Sequence, residues 1–314
     1  MRIVSAEEVA QVLTYPALID ALDQAFRSDI SVPGRHHHTI PQPGTDATLL
    51  LMPAWTQASE RYLGCKVVTV FPENAARNQP SLYGTYLLFS GDTGEPLAAI
   101  DGRVLTAWRT ACASALAARY LARADASHLV MVGAGVLAPH LVRAHMSVRP
   151  VTKVTLWNRT RSRAVQAAFG LAVTGTEVEV TDDLEAAVKE ADIVSCATLS
   201  AQPLIRGQWL RKGAHVDLVG GFTPKMREAD NTAIKRAHVY VDTRAGATKE
   251  AGDIVQPLRS KVIGKGDIQG DLFDLCRGSV KGRRRKDEIT LFKSVGTAIE
   301  DLAAAMLVWR GLNR

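Results

Sequence analysis

Between residues 128 and 163 an apolar strand, 129–132, runs into Gly133-Ala134-Gly135-Val136-Leu137-Ala138. A helix follows, then a second apolar strand, 154–157, which ends in Asn158-Arg159-Thr160-Arg161. No other stretch restricts the fold as much, because this order describes the first βαβ unit of a dinucleotide-binding domain. The first glycine allows a tight turn and the second lets the backbone approach a pyrophosphate. Ala138 takes the third, close-packing position. Alone the glycine pattern arises by chance; between a strand and a helix it points to a site. NAD-specific sites place an Asp or Glu after the second strand to bind the ribose hydroxyls. Here neutral Asn158 stands beside Arg159 and Arg161, side chains suited to a ribose 2′-phosphate. The expected cofactor is NADPH in preference to NADH.

Further strands are expected near 177–180, 192–198, 215–220 and 238–242, alternating with helices. That alternation argues for an α/β fold with a Rossmann-type doubly wound parallel sheet. The pattern upstream differs. Ser5 and Glu8 suggest a capping box. A helix from about Pro16 places Leu18, Ile19, Leu22 and Phe26 on one face. Residues 31–44 read as loop around a short strand. Strands are expected at 48–52, 64–71, 83–89 and 97–101, the last two joined by the turn Ser90-Gly91-Asp92-Thr93-Gly94. This region reads as an α+β unit with an antiparallel sheet. An Ala-rich helix, 106–122, links the halves. After 290–293 a last amphipathic helix puts Ile299, Leu302, Met306 and Leu307 on one face.

Composition narrows the ligands. A net charge of +6 on 314 residues fits small anions. Nucleic acid is disfavoured, since the basic run 281–286 lacks interleaved aromatics and reads as a solvated loop. No apolar run reaches the roughly 20 residues of a membrane span, and residues 1–8 lack a signal-peptide core. A soluble cytoplasmic protein is expected. The four cysteines are widely spaced and read as free, mostly buried thiols. His36 and His38 would share one face of a strand, but no third ligand at suitable spacing is evident, so no metal is expected. No Gly-x-Ser-x-Gly elbow, P-loop or HExxH motif is present.

Two cations stand out. Lys66 shares a strand face with Val68 and Val70, so it either snorkels to an edge or works in a site. Arg109, near the start of an almost uncharged helix, needs a bidentate anion or an internal partner such as Asp101 or Glu73. Arg35 is a candidate second anion clamp.

Several stretches then converge: Gly64-Cys-Lys66-Val-Val, Leu105-Thr-Ala-Trp-Arg109-Thr-Ala, Val132-Gly-Ala-Gly-Val, Trp157-Asn-Arg-Thr, Gly213-Ala-His-Val-Asp-Leu-Val-Gly, Glu250-Ala-Gly-Asp and Thr290-Leu-Phe-Lys-Ser294-Val-Gly. On these the chain resembles the ornithine cyclodeaminase/mu-crystallin family over essentially its whole length. The resemblance implies a substrate-binding and dimerisation domain, 1–113 plus 293–314, and a Rossmann dinucleotide-binding domain, 114–292. It implies a homodimer with the substrate between the domains. It makes Lys66 and Arg109 the catalytic pair and has Arg35, Lys66 and Arg109 hold a substrate carboxylate. Ser81, Arg109, Gly133, Gly135, Val136, Leu137, Asn158, Arg159, Thr160, Thr198, Leu199, Val219 and Ser294 would line the cofactor, and Val295 would border the substrate.

One departure bears on the reaction. Cyclodeaminases of this family carry an Asp after the fifth strand, where this chain reads Val219-Gly220-Gly221-Phe222-Thr223-Pro224. Phe222 cannot accept a proton or pair with an ammonium; it can wall an apolar ring. The stretch looks like the branch that reduces cyclic ketimines, Δ1-pyrroline-2-carboxylate to L-proline and Δ1-piperideine-2-carboxylate to L-pipecolate. The alternatives within the resemblance are an alanine dehydrogenase, an ornithine cyclodeaminase, and a non-catalytic NADP-linked ligand binder like mu-crystallin.

Overall fold

The reciprocal bonds of a capping box start the first helix. Ser5 Oγ accepts from Glu8 N at 3.3 Å and Glu8 Oε2 accepts from Ser5 N at 2.9 Å. These fix α1 (Ala6–Val12) behind strand β1 (Arg2–Val4). Helix α2 (Tyr15–Arg27) buries Leu18, Ile19, Leu22 and Phe26, the face expected from their spacing. Each such side chain contributes about 1.5–3 kcal/mol on burial. The computed structural model describes residues 1–57, 61–77, 79–171 and 175–313. It divides the chain into two units, Met1–Arg109 with Thr297–Arg314, and Thr110–Gly296. The sequence boundaries stand a few residues away, and Arg314, where the first domain's range ends, lies outside the described residues.

In the first unit β2 (Ile30–Ser31), β3 (His36–Ile40), β4 (Ala47–Thr56), β5 (Tyr62–Val70), β6 (Leu82–Ser90) and β7 (Pro96–Asp101) join β1 in a seven-stranded sheet. Its order is β1-β7-β6-β5-β4-β2, with β3 also on β4; only β1 and β7 pair in parallel. Along β5 the period of two turns Gly64, Lys66 and Val68 inward. Helix α3 (Gly102–Leu121) begins four residues before the expected start. Asp101 Oδ1 accepts from Arg103 N at 3.0 Å and Val104 N at 2.8 Å, which caps the helix there.

The second unit carries β8 (His128–Val132), β9 (Lys153–Trp157), β10 (Glu177–Val180), β11 (Ile193–Cys196), β12 (His215–Leu218), β13 (His238–Val241), β14 (Ile268–Asp271) and β15 (Thr290–Lys293). All pair in parallel in the order β10-β9-β8-β11-β12-β15-β13-β14. The order reverses at β8, so the sheet is doubly wound. Its helices are α4 (Leu137–Met146), α5 (Arg161–Phe169), α6 (Leu184–Glu190), α7 (Asn231–Arg236), α8 (Arg244–Glu250), α9 (Gly252–Arg259) and α10 (Leu272–Arg277). Strand β14 has too few apolar residues for periodicity to reveal it. The strands β11, β12 and β15 are buried along their whole length, as a parallel sheet covered on both faces requires. Their polar residues pair internally: Ser195 Oγ donates to Asp217 Oδ2 at 2.7 Å, and His215 Nδ1 lies 3.0 Å from Thr290 Oγ1.

Part of the basic run is structural. Arg283 donates to the carbonyls of Leu121 at 2.7 Å and Ala214 at 3.1 Å and to Thr290 Oγ1 at 3.0 Å. This corrects the solvated-loop expectation at that residue. All four cysteines are free, and Cys112, Cys196 and Cys276 are buried. No helix among the described residues is long and apolar enough to cross a membrane.

The last helix, α11 (Ala298–Leu312), belongs to the first unit and packs on α2, β4, β5 and β6. Its burial differs from the expected single face. Residues 298–305 are buried all round, whereas Met306 and Leu307 are half-buried.

Gly64 is packed against a neighbouring ring, since a Cβ there would lie 2.0 Å from Tyr86 Oη. Gly64→Ala should therefore cost about 1–3 kcal/mol through overpacking, read as a lower urea midpoint. Adding Tyr86→Leu should recover part of the loss. An unchanged midpoint in the single variant contradicts this packing.

Candidate functional site

In the first unit two buried cations meet two buried carboxylates. Lys66 and Arg109 are 3% and 6% exposed, and Glu300 and Asp301 are fully buried. Asp301 Oδ1 accepts from Lys66 Nζ at 2.8 Å and from Arg109 Nε at 2.9 Å. Arg109 Nη1 donates to Glu300 Oε2 at 2.6 Å. The carboxylates thus hold the guanidinium by Nε and Nη1, leaving Nη2 outside these bonds. The partners are not Asp101 or Glu73: Asp101 caps α3 instead. Burial pushes the Lys66 ammonium down to about 8; neighbouring Arg109 adds to the shift and Asp301 opposes it. For Arg109 burial opposes the charge, but Asp301 and Glu300 outweigh it and raise its pKa. Burial also raises the Tyr86 phenol well above its ordinary value, with Asp301 adding to the rise. Arg35 is half-buried between β2 and β3, and half-buried Ser81 precedes β6, its carbonyl accepting from Phe71 N at 2.7 Å.

In the second unit the predicted cofactor residues follow the C-terminal ends of adjacent parallel strands. Gly133 ends β8 with φ +108°, and a Cβ there would lie 2.6 Å from the Ala197 carbonyl. Packing and backbone conformation both demand glycine at this turn. Gly135 differs: a Cβ there would meet nothing within 4 Å. The protein's own packing does not call for this glycine, whereas a ligand approaching the backbone does. Val136 is exposed, Leu137 opens α4, and this helix has no side-chain cap. Its N-terminus suits a pyrophosphate. The glycine turn and uncapped helix therefore fit a dinucleotide.

After β9, Asn158 Nδ2 donates to the Thr160 carbonyl at 2.9 Å. Arg159 and Thr160 are exposed. Arg161 instead pairs with Asp182 at 2.6 Å. This exposed pair is of a kind worth about 0–1 kcal/mol, so a phosphate can compete for Arg161. Thr198 and exposed Leu199 follow β11, Val219 follows β12 and buried Ser294 follows β15. Val295 N donates to Asp242 Oδ2 at 2.7 Å. Phe222, in the loop after β12, is 46% exposed.

Sequence reasoning found the cations but missed Glu300 and Asp301. Their signal was adjacent acids inside a helix whose other early residues are apolar, the counterpart of Arg109 in α3. It also missed Glu228, which is fully buried beside Thr198. No group of three or more His, Cys, Asp or Glu suited to a metal occurs among the described residues.

A family model described as the ornithine cyclodeaminase/mu-crystallin family matches residues 1–313. A Δ1-pyrroline-2-carboxylate reductase of Colwellia psychrerythraea is 40% identical over 310 residues, 97% of this chain and 97% of the relative. A Thermococcus litoralis Δ1-pyrroline-2-carboxylate reductase, solved with NADH and L-proline, superposes with a TM-score of 0.93 at 32% identity, covering 100% of this chain and 98% of that one. An archaeal alanine dehydrogenase dimer with bound NAD gives a TM-score of 0.91 at 27% identity, covering 100% and 96%.

The Lys66 environment carries a pH signature. Folding lowers its pKa from 10.5 to about 8, so between those values the unfolded chain holds this proton more than the native chain. The group therefore adds stability as pH rises through that window and adds none below it. The urea midpoint of the wild type minus that of Lys66→Met should climb from about pH 8 to about pH 10.5. A flat or falling difference contradicts the assignment.

Proposed function

The chain belongs to the ornithine cyclodeaminase/mu-crystallin family, and we propose that it is an NAD(P)H-dependent oxidoreductase reducing the C=N bond of cyclic ketimine carboxylates. Δ1-Pyrroline-2-carboxylate, giving L-proline, is the first substrate, and Δ1-piperideine-2-carboxylate, giving L-pipecolate, the second. Exposed Phe222, where an acid would serve cyclodeamination, carries this reading. The similarity to two Δ1-pyrroline-2-carboxylate reductases supports it. The archaeal alanine dehydrogenase dimer supports a homodimer.

The substrate needs a carboxylate clamp, an apolar wall for its ring and a hydride at the imine carbon. Lys66 and Arg109 form the clamp, and Arg35 completes it. Asp301 and Glu300 hold the cations in place beforehand, so binding spends little freedom on arranging them. Well-oriented model reactions gain up to about 7–11 kcal/mol from such positioning. Phe222 and Val295 supply the wall. Gly133–Leu137, Asn158–Thr160, Thr198, Leu199, Val219 and Ser294 would hold the dinucleotide, which would supply the hydride. A ring nitrogen that binds protonated would become the neutral amine when hydride adds at carbon, and a dedicated acid would then not be required. Below its pKa of about 8 the Lys66 ammonium keeps its charge for the carboxylate.

For the cofactor, Asn158 with Arg159 and Arg161 supports NADPH over NADH. Arg159 is exposed, ready to meet a 2′-phosphate.

Two measurements check this reading. Δ1-Pyrroline-2-carboxylate should drive NADPH oxidation near neutral pH with L-proline as product; no substrate-dependent oxidation with either cofactor, or activity confined to pyruvate plus ammonia, defeats the ketimine proposal. Arg159→Ala should raise the KM for NADPH about tenfold, as loss of a charge-assisted bond does, while moving that for NADH less than twofold. Equal changes refute the 2′-phosphate role.

A further inference from the structure

Three stretches of the family resemblance, around Gly213–Gly220, Glu250–Asp253 and Thr290–Ser294, contribute more than the cofactor-lining residues Val219 and Ser294. They converge on one buried carboxylate. Glu228 is fully buried, as are Asp253 and Lys293. Its Oε1 accepts from Thr198 N at 2.7 Å and from Thr198 Oγ1 at 2.9 Å. Its Oε2 accepts from Gly220 N at 2.7 Å and from Gly221 N at 3.3 Å. One side chain thus ties the loop after β11 to the loop after β12.

The surroundings leave this carboxylate little freedom. Asp253 Oδ1 accepts from Glu228 N at 2.8 Å and Ala229 N at 2.9 Å, fixing the backbone that carries it. Lys293 Nζ lies 3.5 Å from Asp253 Oδ2 and 3.9 Å from Glu228 Oε2, a cation shared by two acids. The loops themselves touch: a Cβ on Gly220 would lie 1.8 Å from the Thr198 carbonyl, and one on Gly221 2.5 Å from Asp253 Oδ2. Glycine lets the two loops close, and Glu228 keeps them closed.

These loops follow the fourth and fifth strands in the 3-2-1-4-5 part of the sheet. In a doubly wound sheet the first mononucleotide half takes the adenosine and the second the nicotinamide. We infer that Glu228 is a positioning residue, which builds the nicotinamide end of the cofactor site by holding the Thr198 and Val219–Gly221 loops together while leaving the adenosine end, built on β8 and β9, untouched. This rests on the dinucleotide reading above. It adds a division of labour that the glycine motif does not contain.

The test separates the two halves of the ligand. Glu228→Gln loses the charge and turns an amide toward one pair of donors. Its dissociation constant for NADPH, measured by titration of cofactor fluorescence, should rise about tenfold or more. That for adenosine 2′,5′-bisphosphate, measured by calorimetry, should stay within about twofold. Glu228→Asp keeps the charge and should recover part of the NADPH affinity. Amide hydrogen exchange at Thr198, Gly220 and Gly221 should quicken in the Gln variant, with the amides of β8 and β9 unchanged. Should the Gln variant fail to fold, the Asp variant carries the same comparison, with a smaller loss confined to NADPH. Equal weakening of both ligands overturns the inference, as does unchanged NADPH affinity in a folded variant. A wild type that binds neither NADPH nor NADH overturns the dinucleotide reading itself, and the inference with it.

Discussion

Much of the first unit rests on four charges that cannot be separated. Removing an ion from water costs several kcal/mol, and a buried pair recovers that only with good geometry and complete partnering. Lys66 and Arg109 share one oxygen of Asp301, and Glu300 takes a second edge of the guanidinium, so each buried cation faces an acid at hydrogen-bond distance. The cluster is neutral as a whole, which lets it lie buried beside Tyr86. Neutrality also shapes its chemistry. The proposed carboxylate clamp is thereby oriented in advance without storing an uncompensated charge.

The second unit handles charge differently. The turns proposed to meet the cofactor offer backbone groups: a glycine at positive φ at 133, an open glycine at 135 and an uncapped helix end at α4. Side-chain charge is kept behind them. Glu228 and Asp253 accept from backbone N–H groups of the loops, and Lys293 balances them from beneath. The buried cations of the first unit are thus side chains held by side chains, whereas the turns of the second are backbone held by side chains.

This difference explains what the sequence made legible. The turn at Gly133 and Gly135, the apolar face of α2 and the alternation along β5 are local patterns with periods of a few residues, and each appears in the structure. The carboxylates that make Lys66 and Arg109 tolerable lie 235 and 191 residues further along the chain. No spacing rule links residues so far apart. A buried cation announces that it needs a partner without saying where, which is why Asp101, close in sequence, was the natural candidate and yet caps α3. Glu228 was hidden for a related reason, since its work is done on backbone amides, which look alike at every residue. Strand β14 was missed because a four-residue run with a central glycine carries no period.

The separation along the chain has a consequence for biosynthesis. Glu300 follows Arg109 by 191 positions, a stretch that takes roughly 10–40 s to translate at ~5–20 residues per second. For that interval the β5 lysine and the α3 arginine have emerged without the acids that neutralise them. The second unit, Thr110–Gly296, is continuous in sequence and is made within that same interval. The ion cluster of the unit that begins the chain can be completed only once the helix that carries Glu300 and Asp301 has been made.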